Sequence, residues 1–201
     1  MPNWNDEELT ILKATEVFRL KPVVMKKAEG LLVELKDSLI KEILTTGLAL
    51  PPATDATKGQ IARGENLKGF PYISLDMPQK FSKKEMFTYR TLFWWGHYLI
   101  FSFILKGEML TAWLSNVIRR KDQAENLYFS LNTEPWEWEF NEQNFRKLAT
   151  ADGLEIKSVV CKNQYLKLAA FHPVSDPKFQ SLDWNYQGIE TFRTMVGLLI
   201  R

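Results

Sequence analysis

The sequence FSKKEMFTYRTLFWWGHYLIFSFIL, residues 81–105, decides how this chain folds. It contains ten aromatic or histidine rings, and rings of this size bury large apolar areas. We therefore expect this segment to form the centre of the core. Ser82 and Glu85 have the spacing of a helix-capping box, which predicts a helix from Ser82 to about Phe93. HYLIFSFIL, residues 97–105, is apolar on both faces and predicts a central strand.

The segments before this centre predict two helices and a long loop. Asn5 and Glu8 are spaced for another capping box, so we expect a first helix to about Leu20, with Pro22 opening the next. In that second helix, apolar residues recur every three or four positions at Val24, Ala28, Leu31, Leu35, Leu39 and Ile43. We expect this stripe to pack against the chain's own sheet, and a dimer seam is the alternative. Residues 48–69, with two prolines and three glycines, are expected to form a connecting loop.

The remaining segments predict interspersed strands and helices. Strands are expected at 70–77, 126–131 and 136–140, with a hairpin formed by 154–161 and 165–172. Helices are expected from Gly107, from Asn141 to about Thr150 and from about Leu182 to Ile200. Because no regular βαβ repeat is present, we predict a single α+β domain over residues 1–201. Its sheet should be mainly antiparallel, with a mixed sheet as the alternative, and have about five to six strands packed by an N-terminal helical pair (1–47) and a C-terminal helix.

The charge balance argues against nucleic acid as a partner. The chain has 26 basic and 24 acidic residues, so its net charge of +2 creates no overall field for nucleic acid or anionic lipid. Basic residues are concentrated in 58–90, whereas 134–142 contains four glutamates and no basic residue. These two patches could face each other, meet a partner or simply be solvated.

No membrane segment or disulfide is expected. The longest apolar run, residues 92–105, is shorter than the roughly 20 residues that span a bilayer. The N-terminal residues are acidic and lack the apolar segment of a signal peptide, so we expect a cytoplasmic protein. The single cysteine, Cys161, excludes an internal disulfide and a multi-cysteine metal cluster. Its apolar surroundings predict a packed, inert thiol within a strand.

The familiar cofactor motifs are missing from the sequence. It contains no G-x-G-x-x-G, no G-x-x-x-x-G-K-[ST] and no G-x-S-x-G. His97 and His172 are its only histidines, which excludes a three-histidine metal site. We therefore expect neither a metal nor a cofactor. Gly59 and Gly64 lie near Arg63 in a segment that we interpret as a flexible loop, with an anion-binding loop as the alternative.

Part of the chain resembles a small family of uncharacterised bacterial proteins. The resemblance is carried by ENLKGFPYISLD at 65–76, by Phe81 and by FTYRTLFWWG at 87–96. These residues follow the pattern ENxKGxPYxxLD…F…FxxRTxFWWG, within a similarity that covers about residues 63–106. The resemblance implies a bacterial cytosolic protein. It transfers no catalytic residue, because the family has no known activity.

The leading functional hypothesis is a non-catalytic protein that binds a small molecule or a protein partner. A ring-rich junction beside a long connection is typical of a mostly apolar pocket with few polar groups. We predict that Arg90 holds an anionic group and that Trp94 and Trp95 form apolar walls. His97 and Arg63 are the further candidate ligand-binding residues.

Two alternatives belong to other functional classes. The first is an enzyme acting on a small anionic substrate, with His97 as acid–base and Arg63 or Arg90 as electrophilic clamp. The second is a structural subunit whose second helix forms a dimer seam. The chain is accordingly expected to be a monomer or a homodimer.

Overall fold

The computed structural model describes residues 3–200, which form one antiparallel sheet with helices on one face. The five α-helices of this range are α1 (Asp6–Lys13), α2 (Thr15–Thr45), α3 (Leu110–Arg120), α4 (Gly153–Asn163) and α5 (Trp184–Leu199). Its seven strands are β1 (Gln60–Leu67), β2 (Phe70–Phe81), β3 (Met86–Trp94), β4 (Tyr98–Lys106), β5 (Tyr128–Ser130), β6 (Phe145–Lys147) and β7 (Leu166–Pro173). The strand order is β1-β2-β3-β4-β7-β5-β6, with antiparallel pairing throughout. The predicted α+β class is confirmed, but the sheet has seven strands rather than five to six.

The segment 81–105 forms a β-hairpin rather than a helix followed by a strand. The amide of Glu85 donates to the hydroxyl of Ser82 at 2.9 Å, and the amide of Ser82 donates to the carbonyl of Glu85 at 2.9 Å. These bonds close the turn between β2 and β3, so the capping-box spacing is used in a turn. Residues 86–94 are rich in aromatic residues and threonine, which favour strands. Gly96, with φ of 74°, closes the hairpin.

The central strands are buried on both sides, so the sheet separates two cores. On the side that we call the helical face, strand residues pack with residues of α2 and α5; this core includes Leu75, Phe87, Tyr89, Phe103, Leu168, Leu32, Leu35, Phe192 and Met195. The opposite side, the loop face, is covered mainly by the irregular segment 131–144. Its core contains Leu92, Trp94, Ile100, Ile104, Trp138, Phe145, Tyr165 and Ala169. The ring-rich centre therefore faces inward in both directions.

The boundary between the two N-terminal helices differs from the prediction. Helix α1 ends at Lys13 rather than near Leu20, and Pro22 lies within α2 instead of opening it. In α2 the buried residues are Met25, Ala28, Leu32, Leu35, Leu39 and Ile43. The apolar stripe of this part of α2 therefore packs against the chain's own sheet and α5. Helix α1 has no buried side chain in the described part of the chain.

Several segments after residue 130 also differ from the prediction. Residues 136–140 are irregular rather than a strand, and the segment after Asn141 forms turns and β6 rather than a helix. Residues 154–161 lie in α4 rather than in a hairpin strand, because the Asp152 side chain accepts from the amide of Leu154 at 3.3 Å and caps a helix.

Two further expectations change with these elements. Cys161 is exposed on α4, not packed within a strand, because the segment around it is helical. Residues 48–69 are not one loop, since Gln60–Leu67 pair with β2 as the edge strand β1. Within residues 3–200, no helix has the length and apolar character needed to cross a membrane.

Candidate functional site

Two of the five predicted ligand-binding residues, Trp94 and His97, line the same cavity. The cavity has a volume of about 270 Å³ and is formed by the ends of the β1–β2 and β3–β4 hairpins together with the loop-face cover. Its lining residues are Lys68, Phe70, Trp94, His97, Tyr98, Glu139 and Phe140. We call this cavity the aromatic pocket.

The rings of the aromatic pocket hold one another in place. His97 stacks on Trp94 with ring centroids 3.8 Å apart, and Phe70 meets the opposite side of the cluster edge-on at 4.7 Å from His97. The Trp94 indole N–H donates to the carbonyl of Leu67 at 3.0 Å, which fixes the indole plane. Among residues 3–200, the buried His97 Nε2 finds no hydrogen-bond partner. These contacts fix the positions of the rings that wall the pocket.

Lys68 of the pocket lining pairs with two carboxylates, Glu139 of the lining and Glu137 just outside it. Lys68 Nζ lies 2.8 Å from Glu137 Oε1 and 2.7 Å from Glu139 Oε2. The hydrogen bonds that Lys68 donates, first to Glu137 and then to Glu139, raise the pKa of Lys68 above its ordinary value. The three groups together carry a net charge of −1 when all are ionised. Lys68 is thus the point at which the basic segment 58–90 forms ion pairs with the acidic segment 134–142, whereas Arg63, Lys80 and Arg90 pair with other carboxylates.

Arg90 lies on the loop face but in a closed ion pair. Its Nε is 2.8 Å from Asp76 Oδ1, and its Nη2 is 2.7 Å from Asp76 Oδ2. Thr88 donates a further hydrogen bond to Asp76 at 2.9 Å, and the Trp136 ring covers the Arg90 guanidinium with 4.5 Å between guanidinium carbon and ring centroid. The guanidinium predicted to hold an anionic ligand is thus already paired with a buried carboxylate.

Trp95 and Arg63 lie away from the aromatic pocket. Trp95 is half-buried and packs on the helical-face core, because successive strand residues point to opposite faces. Arg63 is exposed on β1, where its Nη2 lies 2.5 Å from Glu29 Oε1 of α2. In the described part of the chain, neither residue lines the pocket.

Lys167, a lysine buried beneath the loop-face cover, is not among the residues predicted from the sequence. Its side chain donates to the carbonyls of Pro135 at 2.9 Å and Glu137 at 2.5 Å, and its Nζ lies 4.1 Å from the Trp138 ring centroid. Burial lowers the pKa of this amine to about 7. A lysine between two inward leucines normally indicates a solvated strand face, so only the tertiary cover of 131–144 reveals this residue.

A second cavity, of about 590 Å³, lies between β7, α5 and the segment before β5. Polar side chains dominate its lining, including Gln123, Asn126, His172, Gln187 and Thr191. Burial lowers the pKa of His172, which lies near the end of β7. This cavity contains none of the predicted site residues.

Neither metal-binding groups nor comparisons with known proteins assign a function to this site. Across the described range 3–200, no three or more His, Cys, Asp or Glu side chains are grouped to hold a metal ion. Comparison of the chain with protein-family models, with curated proteins and with solved structures finds no match. The resemblance over residues 63–106 therefore remains a prediction from the sequence pattern.

Proposed function

We propose that this protein binds a compact organic cation in the aromatic pocket and does not catalyse a reaction on it. The observation that carries the proposal is a cavity with five ring side chains, whose lining lysine, Lys68, is paired with two carboxylates: Glu139 of the lining and Glu137 beside it. Aromatic ring faces attract cations, and cages of such rings recognise alkylated ammonium groups. The Lys68 ammonium is neutralised by Glu137 and Glu139, so it leaves one carboxylate charge in excess.

The size of the pocket supports a small ligand. A volume of about 270 Å³ lies near the lower end of the roughly 300–1,000 Å³ typical of ligand pockets. A nucleotide or a large cofactor exceeds this space, whereas a methylated amine with a short substituent fits it. The half-buried Tyr98 and Phe140 leave one side of the pocket open to solvent.

The competing proposals have less support at this site. An anionic ligand would need Arg90, whose guanidinium is paired with Asp76 on the same face. Acid–base catalysis would need a group that exchanges protons with His97, and within residues 3–200 its Nε2 has no hydrogen-bond partner. Binding without catalysis requires neither group.

Calorimetric titration with choline and with its neutral isostere 3,3-dimethylbutanol tests the proposal. We expect saturable binding of choline and at least a several-fold weaker affinity for the alcohol, since a cation–π contact contributes about 0.5–2 kcal/mol. Phe140→Ala should weaken choline binding by a similar factor. Phe81→Ala, which removes an exposed ring outside the pocket, should leave the affinity unchanged. Absence of choline binding, or equal affinity for both compounds, would contradict the proposal.

A further inference from the structure

The N-terminal residues carry most of the exposed apolar surface of this protein. Of the 16 large hydrophobic side chains that are exposed within residues 3–200, nine lie in residues 4–24. These nine are Trp4, Leu9, Ile11, Leu12, Val17, Phe18, Leu20, Val23 and Val24. We call residues 4–27 the N-terminal arm. Nine exposed large apolar side chains within 21 residues are a concentration that gives the arm the character of an interface.

The apolar face of α2 extends beyond the sheet that covers it. Phe18 precedes the buried Met25 by seven residues, and Leu32 and Leu39 continue the same row at the same spacing. Residues seven apart lie on the same side of a helix, two turns from each other. Met25, Leu32 and Leu39 are buried against the rest of the fold, whereas Phe18 is 71% exposed. The helix thus presents one continuous apolar face, of which only the C-terminal part is covered within the chain.

The charges of the arm indicate what covers the exposed N-terminal part of the apolar face of α2. Its first turn carries Asp6 and Glu7, whereas Lys26 and Lys27 lie at its other end. Among residues 3–200, none of these four side chains forms an ion pair. Two arms placed antiparallel bring the acidic end of one against the basic end of the other. Two-fold symmetry produces this arrangement, because each copy then presents the same surface to its partner.

We propose that the N-terminal arm is a self-association surface on which a second copy of this chain docks antiparallel. The contact buries Phe18 of each copy, at the exposed end of the apolar face of α2, and the acidic first turn of one copy, with Asp6 and Glu7, lies at the Lys26–Lys27 end of the other. A lipid surface fits less well, since membrane-surface helices carry basic residues on their polar face and the first turn here is acidic. The surface is separate from the aromatic pocket, which lies on the opposite face of the sheet.

Sedimentation velocity over a wide range of protein concentration tests the proposal. We expect a dimer for the wild type and at least a roughly tenfold weaker dimer for Phe18→Glu, because the change places a carboxylate of each copy within the apolar contact. Leu44→Glu is the matched control, because Leu44 is 77% exposed on the same helix but outside the arm. Far-UV circular dichroism should show that both variants are folded. A wild type that is monomeric at every concentration, or a dimer that Phe18→Glu leaves intact, would overturn the proposal.

Charge reversal tests the orientation of the two copies. The double change Lys26→Glu with Lys27→Glu should weaken the dimer, because it places acids opposite acids. A mixture of this variant with one carrying Asp6→Lys and Glu7→Lys tests intermolecular pairing, while the two sets combined in one chain should restore the homodimer. Failure of the combined chain to recover would exclude the antiparallel arrangement. Binding to anionic vesicles without self-association would instead assign the arm to a membrane surface and overturn the proposal.

Discussion

At the scale of single residues, Lys167 makes stability depend on pH. Burial is the main cause that lowers its pKa from the ordinary 10.5 to about 7. The charges of Glu137 and Glu134 oppose this shift, and the charge of Arg90 adds to it. The unfolded chain has the ordinary pKa, so unfolding between these two pH values takes up a proton. The free energy of unfolding should therefore rise with pH from about 7 towards 10, by at most about 1.4 kcal/mol per pH unit from this group. Below pH 7, the lysine is charged in both states and contributes no further change.

Urea denaturation at several pH values between 7 and 9 measures this contribution. Lys167→Met keeps an unbranched side chain against the Trp138 ring but has no group to titrate, so its pH dependence should be shallower than that of the wild type. Lys147→Met, at an exposed position of β6, should keep the wild-type pH dependence. Parallel curves for the wild type and Lys167→Met would show that the buried amine does not carry this effect.

At the scale of elements, the contact between α2 and α5 depends on a glycine. A Cβ added to Gly188 would lie 2.7 Å from Leu35 Cδ1 and 3.0 Å from Phe101 Cε1, and the Gly188 carbonyl accepts from Tyr89 at 2.6 Å. We expect Gly188→Ala to lower the free energy of unfolding by about 1–3 kcal/mol, because overpacking forces the two helices apart.

Gly197 in the same helix is the matched control for this prediction. No atom lies within 4 Å of a Cβ placed there, so Gly197→Ala should raise stability by roughly 0.5–1 kcal/mol through the higher helix propensity of alanine. Chemical denaturation of both variants gives the two signs directly. A destabilisation of similar size at both glycines would show that close packing on Leu35 is not the cause.

The elements that were predicted correctly have sequence signals that only one structure satisfies. Residues 97–105 are too uniformly apolar for an exposed element, and β4 occupies Tyr98–Lys106. Residues 154–161 lack such a signal, since LEIKSVVC fits either a strand or a helix of which Ile156 and Val160 are the buried residues. The helix predicted from Ser82 was wrong because the hydrogen bonds of a capping box also close a four-residue turn. The capping-box spacing therefore marked a local hydrogen-bonded turn, but not the type or the start of the element that follows it.

At the scale of the molecule, strand pairing decides which predicted site residues meet. Trp94 and His97 share the aromatic pocket because the Gly96 turn reverses the chain between them. Trp95 is the neighbour of Trp94 in sequence but faces the other core, which a helical interpretation could not show. Lys68 and Glu139 are 71 residues apart and meet only after the segment 131–144 has closed over the sheet. The sequence analysis thus named two of the five pocket rings, Trp94 and His97, whereas Phe70, Phe140 and the charged residues join them only through strand pairing and long-range packing.

The same sheet makes the two cores one cooperative unit. Ile104 and Leu105 are adjacent in β4, and both are completely buried, but Ile104 faces the loop-face core and Leu105 the helical-face core. Each residue changed to alanine should cost about 2–5 kcal/mol. Because β3, β4 and β7 belong to both cores, either change should shift the urea midpoints measured by tryptophan fluorescence and by far-UV circular dichroism together. Two separated transitions in Ile104→Ala would show instead that the cover formed by residues 131–144 unfolds independently of the helices.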